Sequence, residues 1–401
     1  MKKDILIIGG GAAGFFAAIN CAEKNPSYNI TILEKSPSLL SKVKVSGGGR
    51  CNVTHACFDP RELAAHYPRG EKQLLGPFTK FNPSDTVEWF EKRGVKLKRE
   101  SDGRMFPVTD SSQTIINCFL NEAKRLRVTI KIQTGVEEFT PPVTGNTKWT
   151  LRTNKNEILS ADAIVVTSGT AQQMWRSLEK TGHTIVAPVP SLFTFNIKDK
   201  RLTGLEGISV EQAMVSINGQ KLLQSSGPLL ITHWGLSGPA ILRLSAWGAR
   251  VLASANHQFD IAVNWTGADA NEIKEHLRKY IQAHPKKNVS GNPLFNIPKR
   301  LWERLAGNVI VNYAALSNKQ IDLLVGELTA SHFHVSGKST YKDEFVTAGG
   351  VDLNEVDFKT MQSKKLAGLY FAGEVLDIDA ITGGFNFQAA WTTGWIAAQA
   401  I

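Results

Sequence analysis

The sequence predicts an α/β fold built around a parallel sheet, and three stretches carry this prediction. The first is a short apolar run, ILII at residues 5–8, which leads into a glycine-rich turn and a helix-like segment. The second, AIVVTSGT at residues 163–170, is another buried-strand pattern that ends in a turn. The third is a glycine-rich helix start, TGGFNF at residues 382–387. Continuous apolar runs that alternate with helical patterns are typical of parallel sheets covered on both faces.

The N-terminal stretch has the spacing of a dinucleotide-binding β-α-β unit. Gly9, Gly11 and Gly14 form G-x-G-x-x-G, and Glu34 ends the next strand 20 positions after the last glycine. The glycines allow a tight turn, close approach of a pyrophosphate and close helix packing, while the helix N-terminus attracts phosphate. Glu34 is expected to accept hydrogen bonds from ribose hydroxyls and to repel a 2′-phosphate. The pattern leaves FAD and NAD open, and the expected contacts also include Ala12, Ala13 and Lys35.

The C-terminal stretch predicts a second approach of the chain to the same ligand. A strand pattern at residues 369–372 precedes Gly373 and Glu374, and TGGFNF then begins an apolar helix. FAD accounts for this return, because its flavin ring gains negative charge on reduction and a helix N-terminus stabilises such charge. A close-packed glycine turn before a terminal helix is the alternative. The candidate flavin contacts are Gly373, Glu374, Gly384, Phe385, Asn386 and Phe387.

Three middle segments complete the expected cofactor site. The turn after residues 163–166 brings Thr167 and Gly169 toward the nucleotide, and QTGVEE at residues 133–138 places Val136 near the adenine. The stretch SGGGRCN at residues 46–52 predicts a loop, poor in side chains, whose N–H groups turn toward FAD. In that loop we expect contacts from Ser46, Gly47, Gly48, Gly49, Arg50 and Asn52, with Arg50 neutralising the pyrophosphate or the flavin.

A redox-active cysteine pair is the competing interpretation of this loop. Cys51 and Cys57 are separated by five residues, whereas flavin-linked disulfide reductases have four between their cysteines. The sequence also lacks the C-terminal histidine–glutamate pair that serves such thiols. We therefore expect the glycines and Arg50, not the cysteines, to be functional here.

Taken together, the motifs resemble a bacterial family of FAD-dependent flavoproteins, often called the aminoacetone oxidase family, which includes reductases of bile-acid dehydroxylation. The matching stretches are GGGAAG, SGGGRCNVT, GRMFPV, ITHWGLSGPAI, VTAGGV and GLYFAGEVLDIDAITGGFNFQAAW. The resemblance implies a glutathione-reductase-like Rossmann FAD domain from both chain ends, residues 1–190 and 341–401. It implies an inserted β-barrel and helical domain at residues 191–340. The sequence departs from the family at Phe385 and Phe387, where tyrosine and leucine are more usual, and at the two histidines of SHFHVSG.

Composition narrows the class of protein further. The chain has 401 residues and a net charge of +10, with the basic residues scattered in short clusters. Such a surface suits an anionic cofactor, and without a basic stripe nucleic acid is the less favoured partner. No apolar run is long enough to span a membrane. With only four cysteines and no clear cleavage site after the apolar start, we expect a cytoplasmic protein.

These observations favour an FAD-dependent oxidoreductase that transfers hydride between a small organic substrate and flavin N5. No second G-x-G-x-x-G occurs in residues 150–330, so the redox partner is O₂ or transiently docked NAD(P)H. An RNA-acting flavoprotein and a non-catalytic flavin sensor are the alternatives. Arg104 is expected to meet flavin, an acidic substrate or an ion-pair partner. A serine-hydrolase site at residues 235–239 and a metal site at His332 and His334 are disfavoured. The catalytic residues and oligomeric state are not predicted.

Overall fold

The computed structural model describes residues 2–143, 147–219, 223–307, 311–339 and 346–401. Contacts divide the chain into two units, Met1–Val189 with Val346–Ile401, and Pro190–Phe345. The expected boundary at 190/191 lies beside this division. The expected boundary at 340/341 falls in residues 340–345, outside the described residues.

The chain begins with alternating strands and helices and continues with runs of consecutive strands or helices. The strands are β1 (Asp4–Ile8), β2 (Asn29–Leu33), β3 (Thr54–His55), β4 (Leu97–Arg99), β5 (Arg104–Pro107), β6 (Thr129–Lys131), β7 (Val136–Thr140), β8 (Trp149–Thr153), β9 (Ile158–Ala161), β10 (Ala163–Val166), β11 (Ile185–Ser191), β12 (Thr194–Asn196), β13 (Ser209–Ile217), β14 (Gln224–Thr232), β15 (Gly235–Ser237), β16 (Phe259–Asn264), β17 (Ser331–Val335), β18 (Gly337–Ser339), β19 (Val346–Val351), β20 (Val356–Asp357), β21 (Gln362–Ser363) and β22 (Leu369–Phe371).

The α-helices are α1 (Ala12–Lys24), α2 (Ser41–Gly49), α3 (Pro60–Ala64), α4 (Glu71–Phe78), α5 (Pro83–Glu91), α6 (Ser112–Arg125), α7 (Gln172–Lys180), α8 (Pro239–Trp247), α9 (Ala249–Ser254), α10 (Ala270–Ala283), α11 (Lys299–Leu305), α12 (Asn318–Thr329) and α13 (Phe385–Ala400). Two 3₁₀ turns lie at Tyr313–Ala315 and Leu353–Glu355. None of the helices in the described ranges is long and apolar enough to cross a membrane.

The first unit is organised by a seven-stranded sheet in the order β20-β21-β22-β10-β1-β2-β6. The five strands from β22 to β6 are parallel, and β21 and β20 add an antiparallel edge. β10 is buried at every residue and the last four residues of β1 are buried, which explains their continuous apolar sequences. The Rossmann-type α/β arrangement predicted from sequence is confirmed. The carboxyl ends of β1, β2, β10 and β22 therefore share one edge, where ligands of such sheets bind.

Helices α1 and α13 pack against each other and bring the two ends of the chain together. Gly394 makes this possible, because a Cβ at this position would lie 3.0 Å from the carbonyl oxygen of Ala13. An aromatic cluster packs beside this contact, with Phe16 and Trp391 rings 5.2 Å apart and the Phe119 ring 5.5 Å from Trp391. The N-termini of α1 and α13 are thereby fixed in one region of the first unit.

The second unit contains a seven-stranded antiparallel sheet in the order β17-β16-β13-β14-β15-β12-β18. Its two edge strands, β17 and β18, are separated only by Ser336, whose N–H donates to Asn196 O at 2.9 Å. One extended segment thus occupies both edges of the sheet. A core of buried apolar residues that includes Val215, Ile261 and Trp302 joins the sheet to its helices.

Candidate cofactor site

The first glycine turn is held tightly against the end of β10. Gly9 has a φ of +115°, and a Cβ there would lie 2.6 Å from Thr167 O. A Cβ on Gly14 would lie 2.0 Å from Gly9 O and 2.8 Å from Thr167 Oγ1. Thr167 Oγ1 in turn donates toward Ile8 O and Gly9 O, each at 3.0 Å. These two glycines and Thr167 shape the turn by packing.

Gly11 differs from its two partners in the motif, because it is needed neither for packing nor for an unusual backbone. Its φ and ψ of −92° and −166° are accessible to any residue, and a Cβ there would meet no other atom within 4 Å. It precedes α1, whose N-terminus has no side-chain cap and begins at Ala12. Open space therefore lies in front of unsatisfied N–H groups, which is the arrangement that binds a phosphate.

Glu34 lies at the end of β2, beside the turn, and its carboxylate is already hydrogen-bonded to the backbone. Oε2 accepts from Gly10 N–H and Oε1 accepts from Ser36 N–H, each at 2.7 Å. Both oxygens retain further lone pairs, so the expected bond to a ribose remains sterically and chemically available. The backbone bonds fix the position in which the carboxylate would receive it.

The adenine-side segment predicted at Val136 lies next to Glu34. Thr134 N–H donates to Glu34 O at 2.8 Å, and Val136, at the start of β7, is buried. Lys35 packs its aliphatic chain near Gly135, while its Nζ lies 3.5 Å from Gln173 Oε1. The structure thus brings Glu34, Lys35 and Val136 together.

The strand-end turn after β22 approaches α1 from the other side. Gly373 has a φ of +74°, and a Cβ there would lie 2.9 Å from the Ala13 Cβ. Glu374 forms an ion pair with Lys42, and a Cβ on Gly169 would lie 3.9 Å from Glu374 Oε2. Gly169 and Glu374 are therefore neighbours, and Lys42 is a partner of Glu374 that the sequence did not indicate.

The second helix N-terminus is built by Gly384. Its φ is +95°, and a Cβ there would lie 2.6 Å from Thr54 O. Asn52 joins the two segments, with its amide oxygen accepting from Gly384 N–H at 2.9 Å and its nitrogen donating to Thr54 O at 3.0 Å. Helix α13 has no side-chain cap. Asn52 thus uses its side chain to support this N-terminus, whereas the sequence predicts that it binds the cofactor.

Asn386 also has a structural bond that accounts for its side chain. Its Oδ1 accepts from Ala380 N–H at 3.0 Å, and its Nδ2 donates to Ala380 O at 3.2 Å. Phe387 stacks on Trp391 with ring centroids 5.4 Å apart. The groups that these residues can offer to a ligand are therefore their backbone N–H groups in the first turn of α13.

The stretch Ser46–Gly49 closes α2 as a non-helical turn, in agreement with the loop that the sequence predicts. Helix α2 runs to Gly49, but Ser46 is extended, and Gly47 and Gly48 have left-handed φ values of +57° and +67°. The backbone is helical up to Val45, because residues 41–45 include neither glycine nor proline. The glycines that follow then turn the chain. Cβ atoms on Gly48 and Gly49 would meet nothing within 4 Å, so this turn has open space beside it.

Arg50 has partners in the structure that the sequence did not reveal. Its NH1 lies 2.6 Å from Glu100 Oε1 and 3.5 Å from Asp110 Oδ1, and its guanidinium covers the Phe106 ring at 4.0 Å. Two carboxylates thus compensate its charge, and the expected role as counter-charge to a pyrophosphate or flavin is not favoured. Arg104 likewise pairs with Asp102 and Glu100, at 2.7 Å and 3.0 Å, which matches its ion-pair alternative.

The cysteines lack the properties of a redox pair. Cys51 and Cys57 are buried and free, and burial raises the pKa of the Cys51 thiol to about 12. Burial, with Glu62 and Asp59 nearby, also raises the pKa of Cys57. The thiolate is the reactive form, so both groups are poorly reactive at neutral pH.

Two histidines that the sequence prediction did not assign to the site lie at the start of α13. The Phe385 ring lies between them, with its centroid 4.6 Å from that of His55 and 4.3 Å from that of His66. His55 Nε2 lies 3.0 Å from Asp102 O, so the proton of the neutral ring is on Nε2. No local motif marks these residues, because their grouping depends on the return of the chain at Phe385.

The residues present fit an extended dinucleotide such as FAD. Two uncapped helix N-termini face one region, Gly11 leaves open space, and Glu34 stands at the end of the second strand. Ser168 Oγ, directly after Thr167, is buried and makes no hydrogen bond with the described residues. An unsatisfied hydroxyl beside the glycine turn is expected where a ligand supplies the missing partner.

The other sequence motifs do not form sites in the described parts of the chain. His332 and His334 share one face of β17, as expected, and His334 pairs with Asp260 at 2.8 Å. No metal-binding group of His, Cys, Asp and Glu occurs among the described residues. Ser237 ends β15 directly before α8, but its Oγ pairs with the Thr194 hydroxyl at 3.0 Å and not with the histidine that a hydrolase nucleophile needs.

Comparison with known proteins places this geometry in a family. The model of the HI0933-like protein Rossmann domain matches residues 3–400. The chain is 29% identical to the ribosomal RNA dihydrouridine synthase of Escherichia coli, covering 99% of this chain and 98% of that protein. It is 26% identical to the 3-dehydro-bile acid delta(4,6)-reductase of Clostridium scindens, covering 98% of each.

A solved structure supports the fold. The 3-ketosteroid-delta4-(5alpha)-dehydrogenase from Rhodococcus jostii RHA1 has a TM-score of 0.52 and 11% identity, over 99% of this chain and 97% of that chain. The family match, together with the glycine turn and the two helix N-termini, identifies the cofactor class. The chain belongs to the HI0933-like family of FAD-binding, Rossmann-fold flavoprotein oxidoreductases.

Proposed function

We propose that this protein is an FAD-dependent reductase of a carbon–carbon double bond conjugated to a carbonyl group. Among such bonds we favour the C5=C6 bond of a uracil ring in ribosomal RNA. The observation that carries the cofactor assignment is the packing of α1 on α13 beside Ala372, after the end of β22, with no side-chain cap at either helix N-terminus. FAD bound there supplies hydride transfer at its N5 atom.

We choose this double bond from the reactions named for two relatives that match nearly the whole chain. Formation of dihydrouridine saturates a double bond conjugated to the C4 carbonyl of uracil, and a 3-dehydro-bile acid delta(4,6)-reductase acts on double bonds conjugated to a 3-oxo group. The reaction takes up one hydride, which NAD(P)H supplies, and one proton at the neighbouring carbon. NAD(P)⁺ and the saturated product are then the only products.

The chain's own residues would bind and orient the reactants in this reaction. The N–H groups of α1 and the Glu34 carboxylate would hold the pyrophosphate and ribose of FAD, and the first turn of α13 would stabilise negative charge on its ring. His66 lies against the first residue of α13 and is our candidate for the proton donor. An imidazole, whose ordinary pKa is near 6.5, suits proton transfer at neutral pH.

The composition of the chain favours a small-molecule substrate over nucleic acid, and our proposal of an RNA substrate reverses this order. A scattered basic surface favours a small molecule, but the two ribosomal RNA dihydrouridine synthases, at 29% and 28% identity, each match nearly the whole chain. The net charge of +10 is compatible with a phosphate backbone. A small conjugated ketone is the second candidate, because the bile-acid reductase is also similar over 98% of the chain. Oxidase chemistry with O₂, implied by the aminoacetone oxidase resemblance, is the third outcome tested.

An anaerobic spectroscopic experiment distinguishes these functions. Holo-protein is mixed with NADH or NADPH and the visible flavin band is followed; we expect one of the two to bleach it. The reduced protein is then mixed separately with a ribosomal RNA transcript, a transcript without uridine, a steroid enone and O₂. Recovery of the band with the uridine-containing transcript alone supports the proposal. Recovery with the enone but not with RNA moves the assignment to a small molecule, and recovery with O₂ alone contradicts it.

A further inference from the structure

A tryptophan side chain is exposed at the two-residue turn between β14 and β15 in the second unit. The Trp234 side chain is 62% exposed, and its neighbour His233 is exposed as well. Register pairs join Thr232 to Gly235 and Ile231 to Leu236 on the flanking strands. At the tip of this hairpin, most of the surface of the Trp234 ring is open to contact with a partner outside the fold.

The backbone that carries this ring is fixed. Trp234 O accepts from Ile197 N–H at 2.8 Å, and Trp234 N–H donates to Thr232 Oγ1 at 3.3 Å. A Cβ on Gly235 would lie 2.3 Å from Phe195 O, so the turn is pressed against β12. A ring on such a turn can make a contact at a low cost in backbone entropy.

Cationic side chains surround the turn. Lys198 directly follows Ile197, and Lys200 lies two positions further along the chain. Both are exposed, and no ion pair with a described residue involves either of them. Arg300 is exposed and donates to Gly204 O in the adjacent loop. The intervening Asp199 is neutralised by Arg201, at 2.8 Å.

One carboxylate, that of Glu206, lies in this region. Its pKa is lowered mainly by hydrogen bonds from its own backbone N–H and that of Gly204, with smaller contributions from His233 and Arg300. Glu206 therefore lies within electrostatic reach of both the turn and Arg300. Three cations against one carboxylate leave the region positive before any protonation of His233.

We propose that these residues, Lys198, Lys200, His233, Trp234 and Arg300, form an RNA-binding surface, here called the Trp234 surface. An unpaired base stacks on the Trp234 ring, and the neighbouring phosphates lie near the lysines and the arginine. Every base has a face that can stack on an aromatic ring, and cations beside the ring track the backbone. The inference rests on the proposed RNA substrate and adds the part of the protein that holds the strand.

A single-stranded nucleic acid fits this surface better than a membrane or an apolar protein face. Within residues 197–208 and 229–238, Trp234 is the one large hydrophobic side chain that is exposed. Membrane insertion and protein docking both bury a wider apolar area than one ring supplies. One ring bordered by cations is instead the combination used for stacking on a charged strand.

Binding of a fluorescent, uridine-rich single strand of about 12 nucleotides, a length within the usual site sizes, tests the proposal. Anisotropy is measured with oxidised, full-length holo-protein at several salt concentrations. Trp234→Ala should raise Kd about 5- to 150-fold, the range of stacking on one base. Trp234→Phe should recover part of that loss. The double variant Lys198→Ala/Lys200→Ala should reduce the salt slope by about 1.4, or about 0.7 for each phosphate that is no longer neutralised.

The matched control is Trp247→Ala, since Trp247 is a second exposed tryptophan of the same unit, 46% exposed at the end of α8. It should bind the strand like the wild type. The proposal is overturned if the wild type does not retain the strand, if Trp234→Ala binds as tightly as the wild type, or if Trp247→Ala loses as much affinity. It is also overturned if Trp234→Ala abolishes binding to anionic vesicles while RNA binding is unchanged.

The binding assay and the proposed function can fail separately. Binding is measured without NAD(P)H and without turnover. A protein that binds RNA through Trp234 but reduces no uracil would refute the proposed function alone. A protein that reduces uracil in RNA with Trp234→Ala as effective as the wild type would refute the Trp234 surface alone.

Discussion

Replacement of Gly11 by alanine separates the cofactor role of the glycine motif from its packing role. A Cβ at this position meets no protein atom within 4 Å, and the φ of −92° is acceptable for alanine. The apo-protein should therefore be about as stable as the wild type, because the gain of about 0.4–1 kcal/mol from the less flexible unfolded chain is offset by alanine being a poorer helix N-cap than glycine. The added methyl group occupies the space in front of the α1 N-terminus, where the pyrophosphate is expected.

The size of the effect follows from ligand linkage. FAD at about 100 times its Kd stabilises the wild type by ~2.7 kcal/mol. If the methyl group weakens binding about 100-fold, the same concentration stabilises the variant by only ~0.4 kcal/mol, by the same relation. The lost ~2.3 kcal/mol corresponds to a Tm difference of about 3 °C for a protein of this size.

Differential scanning fluorimetry with and without FAD measures both quantities in one experiment. We expect Gly11→Ala to keep the apo Tm close to that of the wild type and to lose most of the FAD-induced increase. Gly14→Ala is the matched control, because its Cβ would lie 2.0 Å from Gly9 O. It should lower the apo Tm itself, because overpacking costs ~1–3 kcal/mol or more of folding free energy. An FAD-induced increase in Gly11→Ala equal to that of the wild type would refute the reasoning, as would an apo Tm lowered as much as that of Gly14→Ala.

Three further predictions concern other parts of the first unit. His66→Asn should slow reoxidation of the reduced flavin by substrate at least tenfold, while FAD binding and reduction by NAD(P)H stay unchanged. Stopped-flow absorbance follows each step. Equal loss of FAD binding, reduction and reoxidation would indicate a structural role. Cys57→Ser should leave reduction and reoxidation rates unchanged, because the buried thiol is not ionised at neutral pH; loss of turnover would restore the dithiol hypothesis. Burial lowers the pKa of His183 below 6.5, so its contribution to stability is complete above pH 6.5 and is lost as the pH falls through the folded pKa. His183→Gln should remove up to about 1.4 kcal/mol per pH unit of this acid slope in denaturant titrations, and an unchanged slope would contradict the assignment.

The sheet and the glycine turn could be predicted because their signals are local. A buried parallel strand needs a continuous apolar run, and the close contacts at Gly9 and Gly14 permit no side chain. The same logic found Gly384, where a Cβ would collide with Thr54 O. Such requirements act on single positions, so they remain visible in one sequence.

The roles of Arg50 and Asn52 could not be predicted in the same way. Arg50 finds Glu100 and Asp110, which are distant in sequence, through the arrangement of α2, β5 and the loops around them. Asn52 meets Gly384 only because the C-terminus returns to the first unit. A motif indicates which residues lie in a loop, but the partners that occupy their charges depend on the tertiary fold.

Histidines at the start of α13 illustrate the same limit. His55 and His66 belong to different segments, and neither spacing nor composition connects them to Phe385. The order of strands in the second unit could not be predicted either, because the sequence of β17 and β18 forms one short alternation of polar and apolar residues. Only the fold reveals that they occupy opposite edges of one sheet.

The central claim is that this protein uses bound FAD to saturate uracil in RNA, and one measurement tests it most directly. Holo-protein, NADPH or NADH and a ribosomal RNA transcript are incubated without oxygen, and the nucleosides are then analysed by mass spectrometry. The account predicts a uridine that has gained two hydrogens, in an amount equal to the NAD(P)H consumed, and less of it when Gly11→Ala replaces the wild type at a limiting FAD concentration. Oxidation of NAD(P)H with every uridine unchanged would contradict it.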